Sequence, residues 1–549
     1  MISTPGRRKS QRLVHVNLLK KYHQRKTEVI CNAVIMESES RTEEDHIHDF
    51  EHKNESSEEN EEINDFGELK PEVKLNNSDV LNNPYAKLCH LSQEQQHDIV
   101  SLLQDYQSIL KDVPQPSPVV EHDVVLIDNA TPVRQAPYRM SPAKEKLLRD
   151  EVQFLLDNGL AEPSQSEWAS PCVLVSKTDG GVRMCTDFRK PNMVTRADCF
   201  PLARIDDIID AIGDATYITK LDLLKGYYQV PLTERAKRIS AFITPFGLFQ
   251  YTVMPFGMRN APPTFMRMMS SVIAGLNGVR AYLDDLVVFS STWDEHISSL
   301  RALFERLHDA HLTVNLVKSE FGHGKIVFLG HEIGGGMVAP LEAKVEAIHS
   351  IPIPESRKAL QRFLGMVGYY RRFCPNFSDV AKPLTDLISP KVKFIWSDEC
   401  QNAFEKIKSI LVTKPVLKGP DFDKPFIIHV DASDVAAGAV LLQTDSNDIL
   451  LPVCYMSTKF KSHQRNYSTI EKEAAALLMA LEKFEVYLGN SSQKIIVYSD
   501  HNPLQFVNRM KNKNQRLTRW SLALQPYNLE IRHIKGKDNV IADTLSRPC

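Results

Sequence analysis

The sequence lacks the features that mark a membrane span, a secretory signal, a zinc module and an aspartic protease. No apolar run reaches the roughly 18 residues that a membrane-spanning helix needs. The N-terminus, MISTPGRRKSQR, carries charges without an apolar segment behind them, which argues against a secretory signal. The nine cysteines form no CxxC pair and no zinc-knuckle spacing, so we expect free thiols in a reducing compartment. An Asp-Ser/Thr-Gly protease motif is absent as well.

The excess of acidic over basic residues comes from one stretch of the chain, and the remainder has more basic than acidic residues. The formal net charge is −3, but residues 37–68 alone hold 14 Asp/Glu against 2 Lys/Arg. The remainder carries 64 basic and 55 acidic residues, a balance that suits a partner with many negative charges. With 549 residues, 42% of them hydrophobic and 25% charged, the chain has room for about three or four soluble domains.

The first 84 residues have little of what builds a core. Residues 1–26 carry 8 Lys/Arg and no acid, as either a nucleic-acid-binding arm or a solvated linker would. Residues 37–68 are rich in Glu, Ser, Asn and His with few aromatics, and they are expected to be a disordered spacer. Apolar residues recur at helical spacing from Leu91, and Ser141 to Gly159 has the start and stop signals of a second helix.

Two adjacent carboxylates, Asp284 and Asp285, stand at the centre of the run AYLDDLVVFS. The β-favouring residues on both sides predict a strand, a tight turn and a second strand. Burying two unpaired carboxylates is costly, so the pair requires water or cations. A solvated acidic turn and a divalent-metal site both meet that requirement. A third acid, Asp222, follows the strand-like run Tyr217–Leu221 and precedes a bend that contains Gly226, from which it can project towards the pair.

Four further acids lie on predicted strands and helices near the C-terminus. They are Asp431 (strand Pro425–Asp431), Glu473 (helix Ser468–Tyr487), Asp500 (after strand Lys494–Ser499) and Asp543 (helix Asn539–Ser546). Glu471 competes with Glu473, and the two cannot act together because residues two apart on a helix do not share a face. One such acid is ordinarily a surface residue, whereas four on strand ends and neighbouring helices can gather divalent cations.

Longer motifs carry a family resemblance. The runs KLDLLKGYYQVPL, Ser240–Met269 and AYLDDLVVFS, in this order and spacing, resemble the palm of the reverse transcriptase in gypsy-type LTR retrotransposons. The runs VDASDVAAGAVL, TIEKEAAALL, YSDHNPL and GKDNVIADTLSR resemble an RNase H domain. The segment HVNLLKKYH is similar to the tail of the integrases of the same family. Gag, protease and the integrase core have no counterpart, so a fragment of Pol is expected.

The resemblance implies a multidomain α+β and α/β protein, a right-hand polymerase with fingers, palm and thumb followed by an RNase H-like mixed α/β domain. The expected divisions are 1–36 (basic arm, integrase tail), 37–84 (acidic disordered linker), 85–165 (helical lead-in and start of the fingers), 166–335 (fingers and palm), 336–423 (thumb and connection) and 424–549 (RNase H).

The same resemblance assigns roles to individual residues. Asp222, Asp284 and Asp285 would hold two Mg²⁺ ions in the polymerase site, and Asp431, Glu473, Asp500 and Asp543 two more in the RNase H site, with Mn²⁺ as the alternative ion. Lys177 and Arg183, on a hairpin predicted around Thr178–Gly181, would clamp the nucleotide triphosphate. Tyr227 would be the steric gate that selects dNTPs, and Phe256 would pack against the nucleotide, although ordinary core packing suits it nearly as well.

Further residues match less specific features of the family. Phe328–His331 matches the primer grip, and Lys318 lies where a lysine is thought to protonate pyrophosphate, although an exposed lysine is the simpler interpretation. A stripe of Leu360, Phe363, Leu364, Val367 and Tyr370 predicts a buried helix face in the thumb. The cations beside that stripe suit phosphate contacts: Arg357, Lys358, Arg362, Arg371 and Arg372. Gly181 and Pro191 depart from the family pattern in the fingers.

The expected function is reverse transcription in a cytoplasmic virus-like particle, with template RNA, primer DNA, the RNA/DNA hybrid and dNTPs as partners and no membrane. The oligomeric state is left open. An RNA-dependent RNA polymerase also uses paired aspartates, but Tyr227 and the attached RNase H motifs argue against it. Two alternatives stay open: an RNase H with an inactive palm, and a non-catalytic nucleic-acid-binding remnant of a transposon.

Overall fold

The computed structural model describes residues 2–3, 11–12, 76–176, 182–413, 416–445, 448–489, 493–500 and 515–547. The chain divides into two compact units, Met1–Glu68 and Leu69–Cys549. In the first unit, strands β1 (Ile2–Ser3) and β2 (Gln11–Arg12) form an antiparallel pair. The segment that resembles an integrase tail lies outside the described residues. None of the helices in the described ranges is long and apolar enough to cross a membrane.

Three helices lead into the folded body of the second unit: α1 (Asn77–Asn82), α2 (Gln93–Asp105) and α3 (Pro142–Asp157). The helix predicted at Ser141 is confirmed as α3, because the Ser141 side chain accepts a hydrogen bond from the Lys144 amide and Pro142 occupies the first turn. The structure differs from the disordered linker predicted for residues 37–84. Residues 77–82 form α1, and Asn77 is buried against a strand more than 200 residues away.

The first sheet has five strands in the order β3-β8-β7-β4-β5. Its strands are β3 (Ala161–Pro163), β4 (Ser170–Ser176), β5 (Val182–Thr186), β7 (Phe242–Thr244) and β8 (Gly247–Tyr251). Antiparallel pairing of β4 with β5 confirms the predicted hairpin. Short helices α4 (Arg189–Met193) and α6 (Glu234–Ile239) accompany this sheet in the chain.

The second sheet, called the palm sheet below, has the order β11-β6-β10-β9. Its strands are β6 (Tyr217–Leu223), β9 (Val279–Tyr282), β10 (Asp285–Ser290) and β11 (Val314–His323). Leu221 and Leu286 belong to a core that includes α7 (Ala261–Val272) and α8 (Trp293–Asp309). Ile218 and Val287 belong to a different core, as alternation along a strand requires. The even-numbered positions of β6 therefore put Lys220 and Asp222 on the second face.

That second core belongs to a third sheet and its helices. The strands, in the order β12-β13-β14-β15, are β12 (Lys325–Phe328), β13 (His331–Gly334), β14 (Met337–Pro340) and β15 (Leu417–Lys418). The helices are α5 (Ile205–Ile212), α9 (Glu342–His349), α10 (Arg357–Tyr369), α11 (Phe377–Val380), α12 (Lys382–Asp386) and α13 (Asp398–Val412). The predicted stripe on α10 is confirmed, since Leu360, Phe363 and Val367 are fully buried.

The C-terminal part is built on a mixed five-stranded sheet in the order β18-β17-β16-β19-β20. Its strands are β16 (Ile427–Ala432), β17 (Ala436–Thr444), β18 (Leu450–Lys459), β19 (Ile495–Ser499) and β20 (Leu529–His533), and its helices are α14 (Thr469–Lys483), α15 (Glu485–Leu488), α16 (Gln515–Leu524) and α17 (Val540–Ser546). In the centre of the sheet, β17 is antiparallel to β16 and β19 is parallel to it. α14 fills one face and Leu545 of α17 packs on the other.

A buried polar cluster joins three parts of this unit. Arg372, which follows α10, pairs with Asp210 of α5 at 2.9 Å and with Asp206 at 3.1 Å. Tyr487 of α15 donates a hydrogen bond to the other oxygen of Asp210 at 2.8 Å. The prediction that Arg372 contacts phosphates is therefore wrong, because its side chain is only 13% exposed and is held by two carboxylates.

Substitutions in this cluster should lower the free energy of unfolding by different amounts, with the larger loss where Asp210 is left without its cation. Arg372→Met leaves the Asp210 carboxylate buried without its cation, a loss of about 3 to 5 kcal/mol. Tyr487→Phe removes one hydrogen bond to that carboxylate and should cost about 1.5 to 3 kcal/mol. Urea unfolding followed by tryptophan fluorescence measures both, with Arg362→Met, an exposed cation of α10, as the control. A midpoint for Arg372→Met equal to that of the control would contradict this account.

Candidate active sites

The acidic pair lies at a two-residue turn between β9 and β10, as the sequence predicted. Asp285 pairs with Tyr282 across the hairpin, which leaves Leu283 and Asp284 in the turn. Leu283 has φ +54°, a left-handed conformation that β-hairpin turns favour and that leucine rarely adopts. The Leu223 amide donates to the Asp284 carbonyl at 3.1 Å, which ties the turn to β6.

Register brings the third acid to the pair. β6 extends to Leu223, two residues beyond the predicted strand, and Asp222 lies directly opposite Asp285. Asp222 accepts a hydrogen bond from Asn315 Nδ2 at 3.1 Å, and Lys318 Nζ lies 3.7 Å from its other oxygen. Lys220 Nζ lies 3.9 Å from an oxygen of Asp285. Two carboxylates on adjacent strands are thus opposed by two ammonium groups.

The electrostatics of this cluster favour a cation. Burial raises the pKa of Asp285 to about 6; Lys220 opposes that shift, and the charges of Asp284 and Asp222 add to it. The side chains of Asp222 and Asp285 remain 18% and 29% exposed, so a solvated ligand can reach them. A cavity of about 520 Å³ lies beside Asp222, with Lys87 and Glu320 also in its lining. Oxygen ligands at partly exposed positions suit a hard divalent ion.

Two of the predicted nucleotide-binding residues lie together beside the acids. The ring of Tyr227 contacts that of Phe256, with centroids 4.9 Å apart, and that of Phe265 at 5.4 Å. Burial and the charge of Asp284 raise the pKa of the Tyr227 hydroxyl. A methyl group on Gly226 would lie 2.9 Å from Asp284 Cβ, so only glycine lets the two turns approach this closely.

The predicted triphosphate clamp is only partly described. Arg183 lies on β5, opposite Val175 of β4. Lys177 and the turn that follows it lie outside the described residues. The two residues are therefore still predictions from the family resemblance.

A second carboxylate cluster forms in the C-terminal sheet. Asp431 on β16, Glu473 on α14 and Asp500 after β19 each direct an oxygen to one point, with these oxygens within 4.8 Å of one another. Glu473 Oε1 accepts a hydrogen bond from the Ala432 amide at 3.3 Å, whereas Oε2 is buried and has no hydrogen-bond partner. Burial, with the charges of Asp431 and Asp500, raises the pKa of Glu473 to about 8.

This second cluster passes a simple test for a metal site. The unpartnered oxygen of Glu473 is costly unless a proton or a cation satisfies it. Gly536 leaves room next to Asp500, because a methyl group there would lie 3.1 Å from its Oδ2. Both observations fit a divalent ion held by carboxylate oxygens.

The fourth predicted acid stands apart from the other three. Asp543 lies on α17 and pairs with Arg547 at 2.5 Å, and it is not among the three residues whose oxygens converge. Burial raises the pKa of Asp431, a hydrogen bond from Ser546 lowers it, and the charges of Asp500 and Asp543 raise it further. Asp543 therefore lies close to the cluster, although its oxygens are not among those that lie within 4.8 Å of one another.

The choice between Glu471 and Glu473 has a structural answer. Glu471 caps the start of α14: it accepts hydrogen bonds from the Ser468 amide and hydroxyl, both at 2.9 Å. It also pairs with Arg516. Glu473 is the residue that lies in the cluster.

Sequence reasoning missed four residues that contact the clustered acids: Lys220, Asn315, Ser319 and Ser546. The Asp222 amide donates to Ser319 Oγ at 3.4 Å, and Ser546 donates to Asp431. Lys220 had a signal, since it stands two residues before Asp222 on a strand and so shares its face. The other three approach from distant segments, and their sequences give no signal.

Comparison with protein-family models gives two matches. The model described as "Reverse transcriptase (RNA-dependent DNA polymerase)" matches residues 175–333. The model described as "RNase H-like domain found in reverse transcriptase" matches residues 421–527. The palm sheet and its acids lie in the first range, and Asp431, Glu473 and Asp500 lie in the second.

Curated relatives are polyproteins of transposons. The chain is 35% identical over 472 residues to the retrovirus-related Pol polyprotein from transposon 297 of Drosophila melanogaster. This alignment covers 84% of this chain and 44% of that polyprotein. The chain is 37% identical to the Pol polyprotein from transposon 412 of the same species, over 76% of this chain and 34% of the relative. The transposon Tf2-3 polyprotein of Schizosaccharomyces pombe is 33% identical, over 79% and 33%. The chain spans less than half the length of each.

Solved structures share the fold. The foamy viral protease-reverse transcriptase dRH in complex with double-stranded DNA has a TM-score of 0.72 at 24% identity, over 85% of this chain and 83% of that one. The foamy viral protease-reverse transcriptase in complex with RNA/DNA hybrid has a TM-score of 0.62 at 23% identity, over 84% and 62%. The expected fold, a polymerase followed by an RNase H-like domain, is confirmed. The chain therefore carries a reverse transcriptase domain and an RNase H-like domain of the kind found in reverse transcriptases, and over most of its length it is similar to the Pol polyproteins of transposons.

Proposed function

We propose that the chain is an RNA-directed DNA polymerase that copies retrotransposon RNA into DNA, and that its RNase H-like domain hydrolyses the RNA strand of the resulting hybrid. The observation that carries the proposal is the convergence of Asp222 and Asp285, in register on neighbouring strands, beside the Asp284 turn. Tyr227 and Phe256 lie next to them and suit a nucleotide. The double-stranded DNA and RNA/DNA hybrid bound to the foamy viral proteins support a nucleic-acid duplex as the partner.

Both catalytic families use divalent metals. We propose two Mg²⁺ ions in each site, held by Asp222, Asp284 and Asp285 in the palm and by Asp431, Glu473 and Asp500 in the RNase H-like domain, with Asp543 as the fourth ligand there. Such ions, when bound, lower the pKa of an attacking hydroxyl or water and neutralise charge on the phosphate. The carboxylates fix where that chemistry occurs.

Other residues of the palm and fingers would bind and orient the substrates. The ring of Tyr227, packed on Phe256 and Phe265, would occupy the space of a ribose 2′-hydroxyl and so exclude ribonucleotides. Arg183 and Lys177 would bind the triphosphate. Lys318 is 67% exposed and lies 3.7 Å from Asp222, and its ammonium group would protonate the leaving pyrophosphate.

Primer extension tests both activities in one tube. Purified protein, an annealed DNA primer on labelled RNA, Mg²⁺ and dNTPs should give extended DNA and shortened template. Asp284→Asn should lose extension by at least about a hundredfold and keep cleavage, because it removes a ligand of the palm alone. Asp431→Asn should do the reverse.

The outcomes separate the three candidate functions. Cleavage without extension by the unmodified protein would leave an RNase H with an inactive palm. Loss of both activities from a folded protein that still binds the hybrid would favour a nucleic-acid-binding remnant. Extension unaffected by Asp284→Asn would refute the proposed metal ligands.

Tyr227 offers a test of nucleotide selection. Tyr227→Val removes the ring and should raise ribonucleotide incorporation, relative to dNTP, by about tenfold or more. Tyr227→Phe keeps the ring and is the matched control, expected to select as the unmodified protein does. Single-nucleotide insertion with ATP and dATP measures the ratio. Equal discrimination by the valine and phenylalanine variants would show that the ring is only a packing residue.

The RNase H-like site should bind metal with proton release. Because the pKa of Glu473 is raised to about 8, its carboxyl is mostly protonated at pH 7 and must lose that proton to become a ligand. Between pH 7 and pH 6, Mn²⁺ affinity should therefore fall by up to about tenfold, with about one proton released per ion. Calorimetry in two buffers, on Asp284→Asn protein, measures both quantities. If the Asp284→Asn protein with Glu473→Gln added showed the same dependence of Mn²⁺ affinity on pH, the released proton would come from a group other than Glu473.

A further inference from the structure

Strand β11 is irregular where it passes the palm acids. Asn315 lies opposite Asp222 and Glu320 lies opposite Lys220, so β11 advances five residues while β6 advances two. The backbone between these two pairs therefore leaves the regular ladder. Carbonyl groups at such a bulge need other donors, because unpaired backbone groups are costly when they are buried.

The donor is a lysine from the helical lead-in. Lys87 Nζ lies 2.6 Å from the carbonyl oxygens of Leu316 and Val317 and 3.1 Å from that of Ser319. An ammonium group has three hydrogens, and each has an acceptor here. Burial lowers the pKa of Lys87, and the charge of Glu320 opposes that shift. Lys87 thus replaces the missing strand partner with a single cation.

Two more side chains of the lead-in bind the same edge. Asn77, only 2% exposed, donates from Nδ2 to the Val314 carbonyl at 2.7 Å and accepts from the Leu316 amide at 2.7 Å, as a neighbouring strand would. The ring of His90 stacks on His323 at 3.8 Å, and its Nε2 lies 2.9 Å from the Phe321 carbonyl. Residues 77–90, called the strap below, therefore follow β11 along its outer edge.

The bulge held by the strap carries the residues that surround Asp222. Asn315 donates to one oxygen of Asp222, Lys318 approaches the other, and Ser319 Oγ accepts from the Asp222 amide. The Ser319 hydroxyl is itself fixed, since it donates to the Asn315 carbonyl at 2.7 Å. A continuous series of contacts thus runs from Lys87 through the bulge to Asp222.

We propose that the strap positions Asp222 for metal binding, and that Lys87 is the positioning residue through which it acts. The proposal rests on the polymerase function proposed above. A competing interpretation is that the strap only protects the free edge of a sheet from pairing with other chains. The two differ in what Lys87 changes: the rate of chemistry at the palm, or only the stability of the fold.

Single-turnover primer extension distinguishes them. In Lys87→Met, which keeps the stem and removes the donors, the rate per active molecule should fall at least about fivefold. The dNTP concentration for half-maximal rate should change by less than about twofold, and RNase H cleavage by the same preparation should be unchanged. Lys146→Met, an exposed lysine on α3, is the control. Lys87→Gln provides the same comparison in a milder form should the methionine variant precipitate.

A lower burst amplitude with an unchanged burst rate would overturn the proposal, because it would mean fewer folded molecules with an intact site. Equal losses of extension and RNase H cleavage would overturn it too. Neither result would count against the polymerase function, because that proposal is tested by primer extension with the unmodified protein.

Mn²⁺ binding tests the strap independently of catalysis. Free Mn²⁺ is measured by electron paramagnetic resonance in an Asp431→Asn background with a dideoxy-terminated primer on its template. Adding Lys87→Met should weaken the palm site at least about fivefold. If the unmodified chain extends no primer, weaker binding still supports the positioning role while the polymerase proposal fails. Unchanged binding refutes the role.

Discussion

Carboxylates that repel one another are held within reach of a shared cation at two places in this protein, and the backbone around both places is arranged to keep them there. In the palm sheet, the pairing of β6 with β10 sets Asp222 opposite Asp285. The turn beside them holds Leu283 at a positive φ and needs glycine at position 226. Strain of this kind persists only when the surrounding structure over-determines it. The cores on the two faces of the sheet supply that rigidity.

Much of this arrangement could be predicted from local sequence. The DD turn and the helix start at Ser141 follow from patterns a few residues long, whereas the choice of Glu473 over Glu471 came from the family resemblance. The misses involve partners far apart in the chain. The sequence places Arg372 beside an apolar stripe, where a cation suits phosphate contacts, and only the fold brings Asp210 to it. Asn77 was included in an acidic linker by composition, although its side chain completes the edge of β11. The bulge in β11 leaves no mark in its sequence, because register is a property of two strands together.

The polar cluster around Asp210 has a different role from the apolar cores. A buried ion pair contributes little net stability, since desolvation offsets most of its attraction. It does penalise every arrangement in which Arg372, Asp210 and Tyr487 fail to meet. The cluster therefore favours one placement of α15, and with it the C-terminal sheet, against the palm side of the unit. Lys459 with Asp379 at 2.6 Å and Asn376 with the Thr544 carbonyl at 3.0 Å add to the same junction.

The two sites relieve carboxylate repulsion in different ways, and this difference has a chemical consequence. In the palm, Lys220 and Lys318 provide positive charge, and the pKa of Asp285, about 6, leaves its carboxyl mostly ionised at neutral pH. In the RNase H-like site, no lysine or arginine pairs with Glu473 among the described ion pairs, and a proton takes that place with a pKa of about 8. In the palm, the carboxylates would hold a metal in place of their contacts with Lys220 and Lys318. In the second site, Glu473 would have to lose its proton before it could hold one. Metal binding by the two domains should therefore respond differently to pH, even though both depend on the same type of ligand.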